Sequence, residues 1–145
     1  MSVYFTNNQY LKTAEEDFEA AETLFGHKYY DQVATLCSIS MVKYLKAVLE
    51  ALYTNAECVP YFSTEEKSVV LSKIKEKLSD FPVTNEECAW MDKIYGKANC
   101  TEGIHIIMPK QTAVDAFKIL AKIRKLARQY DKEAQANNHY ETFND

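Results

Sequence analysis

The chain has 145 residues, of which 47% are hydrophobic and 26% are charged, values typical of one globular domain with its own core. Only three Gly and three Pro are present, which excludes a turn-rich sandwich or barrel and favours long helices. The formal net charge of -4 excludes a generally basic nucleic-acid-binding domain, although a local basic strip can still bind an anion.

The four cysteines and three histidines are too scattered to suggest a metal or redox site. No cysteine pair has the two-residue gap of a zinc ribbon, so we expect neither a metal nor a cofactor. The N-terminus lacks the basic region and apolar run of a secretory signal, and we find no apolar stretch long enough to span a bilayer. We therefore expect a soluble, cytoplasmic protein.

The first two helices are predicted from apolar residues that recur every three or four positions. The first helix is capped by Asn7 or Asn8 and ends at Gly26, where glycine can take the left-handed conformation. The second helix starts near residues 29–31 and runs to Leu52. Its long apolar stripe predicts the central helix of the domain, and the short link predicts that the two helices are antiparallel neighbours.

A loop at 55–62 precedes the third predicted helix. Ser63 or Thr64 can cap this helix, because an acidic first turn follows directly. The helix stops before Pro82, since the residue preceding a proline disfavours the helical conformation.

The fourth helix is capped by Thr84 or Asn85 and carries Trp90 on its apolar face. It ends near Gly96. The segment 97–109 has no regular pattern and is predicted to be a loop packed on the core.

The fifth helix begins at Pro109, a residue suited to a first turn, and runs to about Ala134. Five helices with one central apolar helix predict an all-α fold, an up-and-down four-helix bundle with an additional helix. A single domain is predicted at 1–136, followed by a polar C-terminal tail at 137–145.

Three stretches of the first two helices resemble HEPN domains. Residues 10–21, YLKTAEEDFEAA, are similar to the family's first helix, with its aromatic, its Ala and its Asp-apolar pair. Residues 29–34, YYDQVA, and 43–49, KYLKAVL, resemble the second helix, whose hallmark is a Glu-Lys-x-Leu-Lys-Ala string. The resemblance implies a helical bundle, often dimeric and often encoded beside a small nucleotidyltransferase. Its members cleave RNA, as in toxin–antitoxin systems, or bind nucleotides and partner proteins.

The RNA-cleaving members carry an Arg, a polar residue and, four to six positions later, a His near the end of the fourth helix. There the His acts as general acid or base, and the Arg binds the phosphate. In the matching segment this chain has no Arg, and seven residues separate Lys97 from His105. Lysine lacks the planar fork that grips a phosphate with two hydrogen bonds. Val42 also replaces the Glu that the family often has in its second helix.

Two smaller groups of polar residues are candidates for a binding site. Lys97 and Asn99 lie in a segment whose side chains can hold a phosphate of RNA or a nucleotide. Lys43 and Lys46 belong to the string that resembles the family's second helix, and they are candidates for contact with a partner or nucleotide. The alternative is that their aliphatic stems cover the edge of the core.

The fifth helix carries the only concentrated cationic strip of the sequence. Lysines spaced by three and four residues share one helix face, which can bind RNA phosphates or an acidic partner. A solvated face without a ligand is the alternative. The strip consists of Lys118, Lys122, Arg124, Lys125 and Arg128.

Three functions follow from these observations. The preferred one is a non-catalytic HEPN-like module, dimeric, that binds a nucleotide, RNA or a partner protein such as a nucleotidyltransferase. The second is a metal-independent ribonuclease that uses His105 with Lys97. The third is a helical interaction or scaffold protein without a small-molecule site.

Overall fold

A computed structural model describes residues 4–53, 66–99 and 108–137. All regular secondary structure in these ranges is helical, which confirms the predicted all-α fold. The helices are α1 (Gln9–Gly26), α2 (Tyr30–Leu52), α3 (Lys67–Lys77), α4 (Asn85–Ala98) and α5 (Lys110–Ala136). The predicted loop at 55–62 and the tail beyond Asn137 lie outside the described residues.

The second helix is the centre of the core, as its long apolar stripe predicts. It packs against all four other helices, and Tyr44, Leu45 and Leu49 on it are at most 1% exposed. By length and composition α2 is long and apolar enough to span a membrane, so the prediction that the chain has no such stretch was wrong. However, 72% of its apolar window is buried inside the protein, which identifies it as a core helix. Burial also raises the pKa of the Cys37 thiol to about 12, as expected of an unreactive core cysteine.

Polar contacts fasten α1 to α2 in antiparallel orientation. Near the start of α1, the Asn8 side-chain amide donates to the Ala47 carbonyl over 2.9 Å. Further along, the buried Ser40 hydroxyl donates to the Ala14 carbonyl over 3.0 Å. These hydrogen bonds matter because a buried hydroxyl or amide without a partner costs about 1–3 kcal/mol.

The remaining helices complete the predicted bundle. The end of α4 meets the start of α2, where the Asn99 amide donates to the Thr35 hydroxyl over 3.0 Å. The start of α4 meets the middle of α5 through an ion pair between Glu87 and Lys122. Helices α1, α2, α4 and α5 therefore alternate in direction, and the short α3 is the additional helix.

Two of the predicted helix caps are present. The Asn8 side chain accepts a hydrogen bond from the backbone amide of Leu11 and caps α1. Thr84 caps α4 in a capping box with Glu87, each side chain accepting from the other's backbone amide. These caps were predictable because the hydrogen bonds join residues three positions apart.

The predicted cap of α3 is wrong, and α4 ends slightly later than predicted. The cap of α3 is Glu66 rather than Ser63 or Thr64, which lie outside the described residues. Helix α4 continues beyond Gly96 to Ala98, because glycine tolerates the helical conformation and Asn99 bonds back to the last turn.

Helix α1 ends at Gly26, as predicted, but Gly26 itself is helical and the left-handed residue is Lys28, at φ 65°. The amide of Tyr29 donates to the Leu24 carbonyl, and the amide of Lys28 donates to the Phe25 carbonyl. This pair of hydrogen bonds defines a Schellman motif, whose left-handed position strongly favours glycine. In this chain the left-handed position is occupied by Lys28, which is strained there. The nearest glycine, Gly26, lies two residues earlier, inside the helix.

We predict that Lys28→Gly raises the free energy of unfolding by about 1 kcal/mol, because glycine adopts the left-handed conformation without steric cost. Urea denaturation at neutral pH measures the change. Lys28→Ala is the matched control, since it removes the same charge but keeps the strained conformation. An equal gain for both variants would contradict this explanation.

Candidate functional site

Three exposed lysines lie in a row along the outer face of α5. Lys118, Lys125 and Lys132 are seven residues apart, so they recur about every two helical turns, roughly 10 Å apart along the axis. None of them forms an ion pair with a described side chain. We call these three residues the lysine row. Lys132 was not among the predicted binding residues, although its spacing from Lys125 is the signal that would have found it.

A groove of about 620 Å³ runs beside the lysine row. Four of its described lining side chains are cationic and one is acidic, so its electrostatic potential favours an anion. The groove is lined by Ala121, Arg124, Lys125, Arg128, Gln129, Lys132 and Glu133.

The two arginines of the predicted strip are held by a single carboxylate of α1. The Glu15 carboxylate accepts from Arg124 over 3.2 Å and from Arg128 over 2.7 and 2.6 Å. Each guanidinium also covers an aromatic ring: Arg124 lies 4.2 Å from the ring centre of Phe18, and Arg128 lies 4.9 Å from that of Tyr4. The hydrogen bond to Glu15 raises the pKa of Arg128 further. Both arginines therefore stabilise the contact between α1 and α5.

Lys122 lies next to Lys118 and Lys125 on α5, but it is paired with a carboxylate of α4. Its ammonium donates to both carboxylate oxygens of Glu87, over 2.8 and 2.6 Å. Burial raises the pKa of Glu87, but the hydrogen bonds from Lys122 and Thr84 outweigh it, so the net pKa is lowered. Carboxylates of α1 and α4 thus pair with three of the five cations of the predicted strip. Only Lys118 and Lys125 of the strip form no ion pair with a described residue.

Lys97 and Asn99, the predicted binding pair at the end of α4, do not line the same cavity. Lys97 is exposed and lines a second cavity, of about 280 Å³, between α4 and the start of α5. Asn99 does not line this cavity, and its amide donates to the Thr35 hydroxyl and to the Tyr95 carbonyl. His105, the predicted acid–base residue, lies outside the described residues.

The two lysines of α2 contact α1. Lys43 forms an ion pair with Asp17 over 2.7 Å. Lys46 is only 4% exposed, and its ammonium lies 5.7 Å from the centre of the Tyr10 ring. These contacts give both lysines a role in helix packing, and their predicted contact with a partner or nucleotide stays a prediction.

Sequence reasoning missed a buried lysine at the start of α3. The Lys67 ammonium donates to the Ser38 hydroxyl over 2.8 Å and to the Asp92 carboxylate over 2.7 Å, and the residue is 5% exposed. The signal was its spacing, because Lys67 lies three and four positions before the buried Val70 and Leu71. Asp92 compensates the buried charge, so this cluster fastens α3 to α2 and α4.

The family model described as HEPN domain matches residues 8–130, which span all of α1 to α4 and most of α5. The chain belongs to the HEPN domain family. No curated protein and no solved structure matches it. Family membership confirms the resemblance in the first two helices and indicates a nucleotide- or RNA-related, or ribonuclease-toxin-type, function.

We predict that Glu87→Gln lowers the free energy of unfolding of this HEPN domain by about 0.5–1 kcal/mol at neutral pH, because it removes the charge that pairs with Lys122. The pKa of Glu87 is lowered in the folded state. The stabilisation is therefore complete above the unfolded pKa of about 4.3 and is lost as the pH falls through the lower folded value. The difference between variant and wild type should shrink across this acidic range.

Urea denaturation over a series of pH values measures this effect. Glu86→Gln is the control, because Glu86 is exposed in the same helical turn and makes no ion pair with a described residue. A difference that stays constant with pH would show that the ion pair does not stabilise the fold.

Proposed function

We propose that this HEPN domain binds RNA through the lysine row of α5 without cleaving it. The observation that carries the proposal is the row itself: three exposed cations that form no ion pair with a described residue, beside a groove with a cationic lining. Lysine ammoniums bind phosphates as point charges and do not discriminate among bases, so the predicted contact is with the RNA backbone.

The acidic residues of α1 support a defined orientation of the RNA. Glu16, Glu19 and Glu22 are exposed on that helix, and the chain as a whole carries a net charge of -4. A polyanion is repelled by the acidic surface and attracted to the lysine row, so it is directed to one face of the protein.

The arginines support binding without cleavage. The chain contains only two, Arg124 and Arg128, and both are hydrogen-bonded to Glu15 on α1. Neither stands in the segment that matches the catalytic motif of the RNA-cleaving members, where Lys97 is the only cation before His105. The guanidinium that would stabilise charge developing on a phosphate is therefore missing from that segment.

We predict that replacing Lys118, Lys125 and Lys132 together by Ala weakens binding of single-stranded RNA at least roughly tenfold at low salt. Each lost phosphate contact should also reduce the slope of log K against log salt by about 0.7, so the slope should fall by about two. Fluorescence anisotropy of labelled RNA at several salt concentrations measures both quantities. Alanine is compatible with an exposed helical position, so the fold should be retained.

The matched control replaces Lys12, Lys73 and Lys75 by Ala, which removes the same charge from α1 and α3. The proposal requires this control to bind nearly as tightly as wild type. Equal losses in the two triple variants would mean that net charge, and not the lysine row, determines RNA binding. No binding by wild type would overturn the proposal and favour an acidic protein as the occupant of the row.

We predict that the purified protein does not cleave labelled tRNA or mRNA. His105→Ala is assayed in parallel. Cleavage by wild type that disappears in this variant would overturn the non-catalytic proposal and make the protein a ribonuclease with Lys97 in place of the arginine. Cleavage that persists unchanged in the variant would identify a contaminating nuclease.

A further inference from the structure

A groove separates α4 from α5 on the outer surface. Both helices pack on α2, but they make little direct contact with each other. The ion pair between Glu87 and Lys122 bridges them about one turn before Trp90. Beyond this bridge lies the cavity of about 280 Å³ that Lys97 lines. We call it the α4–α5 groove.

An aromatic ring and two cations line the same side of this groove. Trp90, Lys93 and Lys97 are spaced by three and four residues, so they share one face of α4. Trp90 is half-buried, whereas both lysines are exposed and make no ion pair with a described residue. Pro109 and Thr112 of the α5 start form the opposite side.

This combination of groups fits a nucleotide. Nucleobases stack on aromatic side chains, and ammonium groups bind the phosphates beside them. No acidic side chain lines the described part of the groove, so nothing there opposes a phosphate. A solvated groove of two lysines alone would attract any anion, but the indole adds a preference for a flat ligand.

We propose that the α4–α5 groove binds one unpaired nucleotide of an RNA chain, with its base stacked on Trp90 and its phosphate between Lys93 and Lys97. This inference rests on the proposed RNA binding and specifies single-stranded RNA as the substrate class. The volume of about 280 Å³ lies just below the range of roughly 300–1,000 Å³ of drug-sized sites, so the groove suits one nucleotide better than a base pair. A base within a duplex is already stacked and cannot enter.

The groove and the lysine row lie on neighbouring faces of α5. Lys118, at one end of the row, is six residues from Thr112 in the groove, or about 9 Å along the helix axis. An RNA strand that leaves the groove can therefore continue directly onto the row. The lysine row attracts the RNA phosphates electrostatically, and the α4–α5 groove selects strands that have an unpaired base.

Trp90 is the only tryptophan of the chain, so its fluorescence reports on the groove directly. We would titrate the protein with a single-stranded oligonucleotide, the duplex of the same length, and AMP. Tryptophan emission and the anisotropy of labelled RNA are followed in parallel. The single strand should quench Trp90 saturably, with the same midpoint as the anisotropy change. AMP should quench it more weakly, and the duplex should leave it unchanged.

Two variants test the assignment of residues. Trp90→Leu should weaken single-strand binding roughly 5- to 100-fold, the effect of losing one stacked base, and leave duplex binding unchanged. Lys93→Ala with Lys97→Ala changes only exposed side chains, so it keeps the inference testable if the Trp90 variant does not fold. It should shift the quenching midpoint to higher RNA concentration, whereas Lys12→Ala with Lys73→Ala should not.

The outcomes separate this inference from the proposed function. RNA binding that depends on the lysine row but leaves Trp90 emission unchanged would overturn the groove inference alone. Quenching by AMP or single strands that is insensitive to the lysine row would support the groove and overturn the proposed use of the row. Equal quenching by single strand and duplex would overturn the preference for an unpaired base, and no quenching by any ligand would overturn the inference as a whole.

Discussion

The central position of α2 is the constraint on which the rest of the structure depends. Because the other four helices all pack on α2, each can present only its outer face to solvent. Polar groups within α2 then need partners from its neighbours, and Ser40 and Ser38 obtain them from the Ala14 carbonyl and the Lys67 ammonium. The same arrangement creates the α4–α5 groove, because α4 and α5 both pack mainly on α2 and make little contact with each other.

Acidic residues on neighbouring helices determine which cations of α5 are available to a ligand. Glu15 on α1 engages both arginines, and Glu87 on α4 engages Lys122. Partly buried carboxylates need such partners, because an unpaired charge in that environment is costly. The lysine row stays exposed and forms no ion pair with a described residue, although the Lys132 ammonium lies 5.8 Å from the centre of the Tyr4 ring.

Local patterns made most of the fold predictable, whereas the site depends on contacts between helices. Apolar periodicity gave the order of the five helices, and the caps at Asn8 and Thr84 follow from hydrogen bonds between near neighbours. The ion pair of Lys122 joins residues 35 positions apart, so spacing along α5 could not separate it from Lys118. For the same reason Trp90 was assigned to the apolar face of its helix, and its position in a groove became visible only with α5 in place.

The distribution of arginine and lysine argues for binding rather than cleavage in this HEPN domain. Cleavage of a phosphodiester requires groups that stabilise the charge developing in the transition state, and the guanidinium fork is well suited to that task. Here both arginines of the chain are hydrogen-bonded to a carboxylate that helps to hold α1 against α5. Releasing either one would leave Glu15, which is only 14% exposed, with fewer partners and weaken the bundle. The cations that a ligand can reach without this cost are lysines, and lysines attract a phosphate backbone without orienting it for reaction.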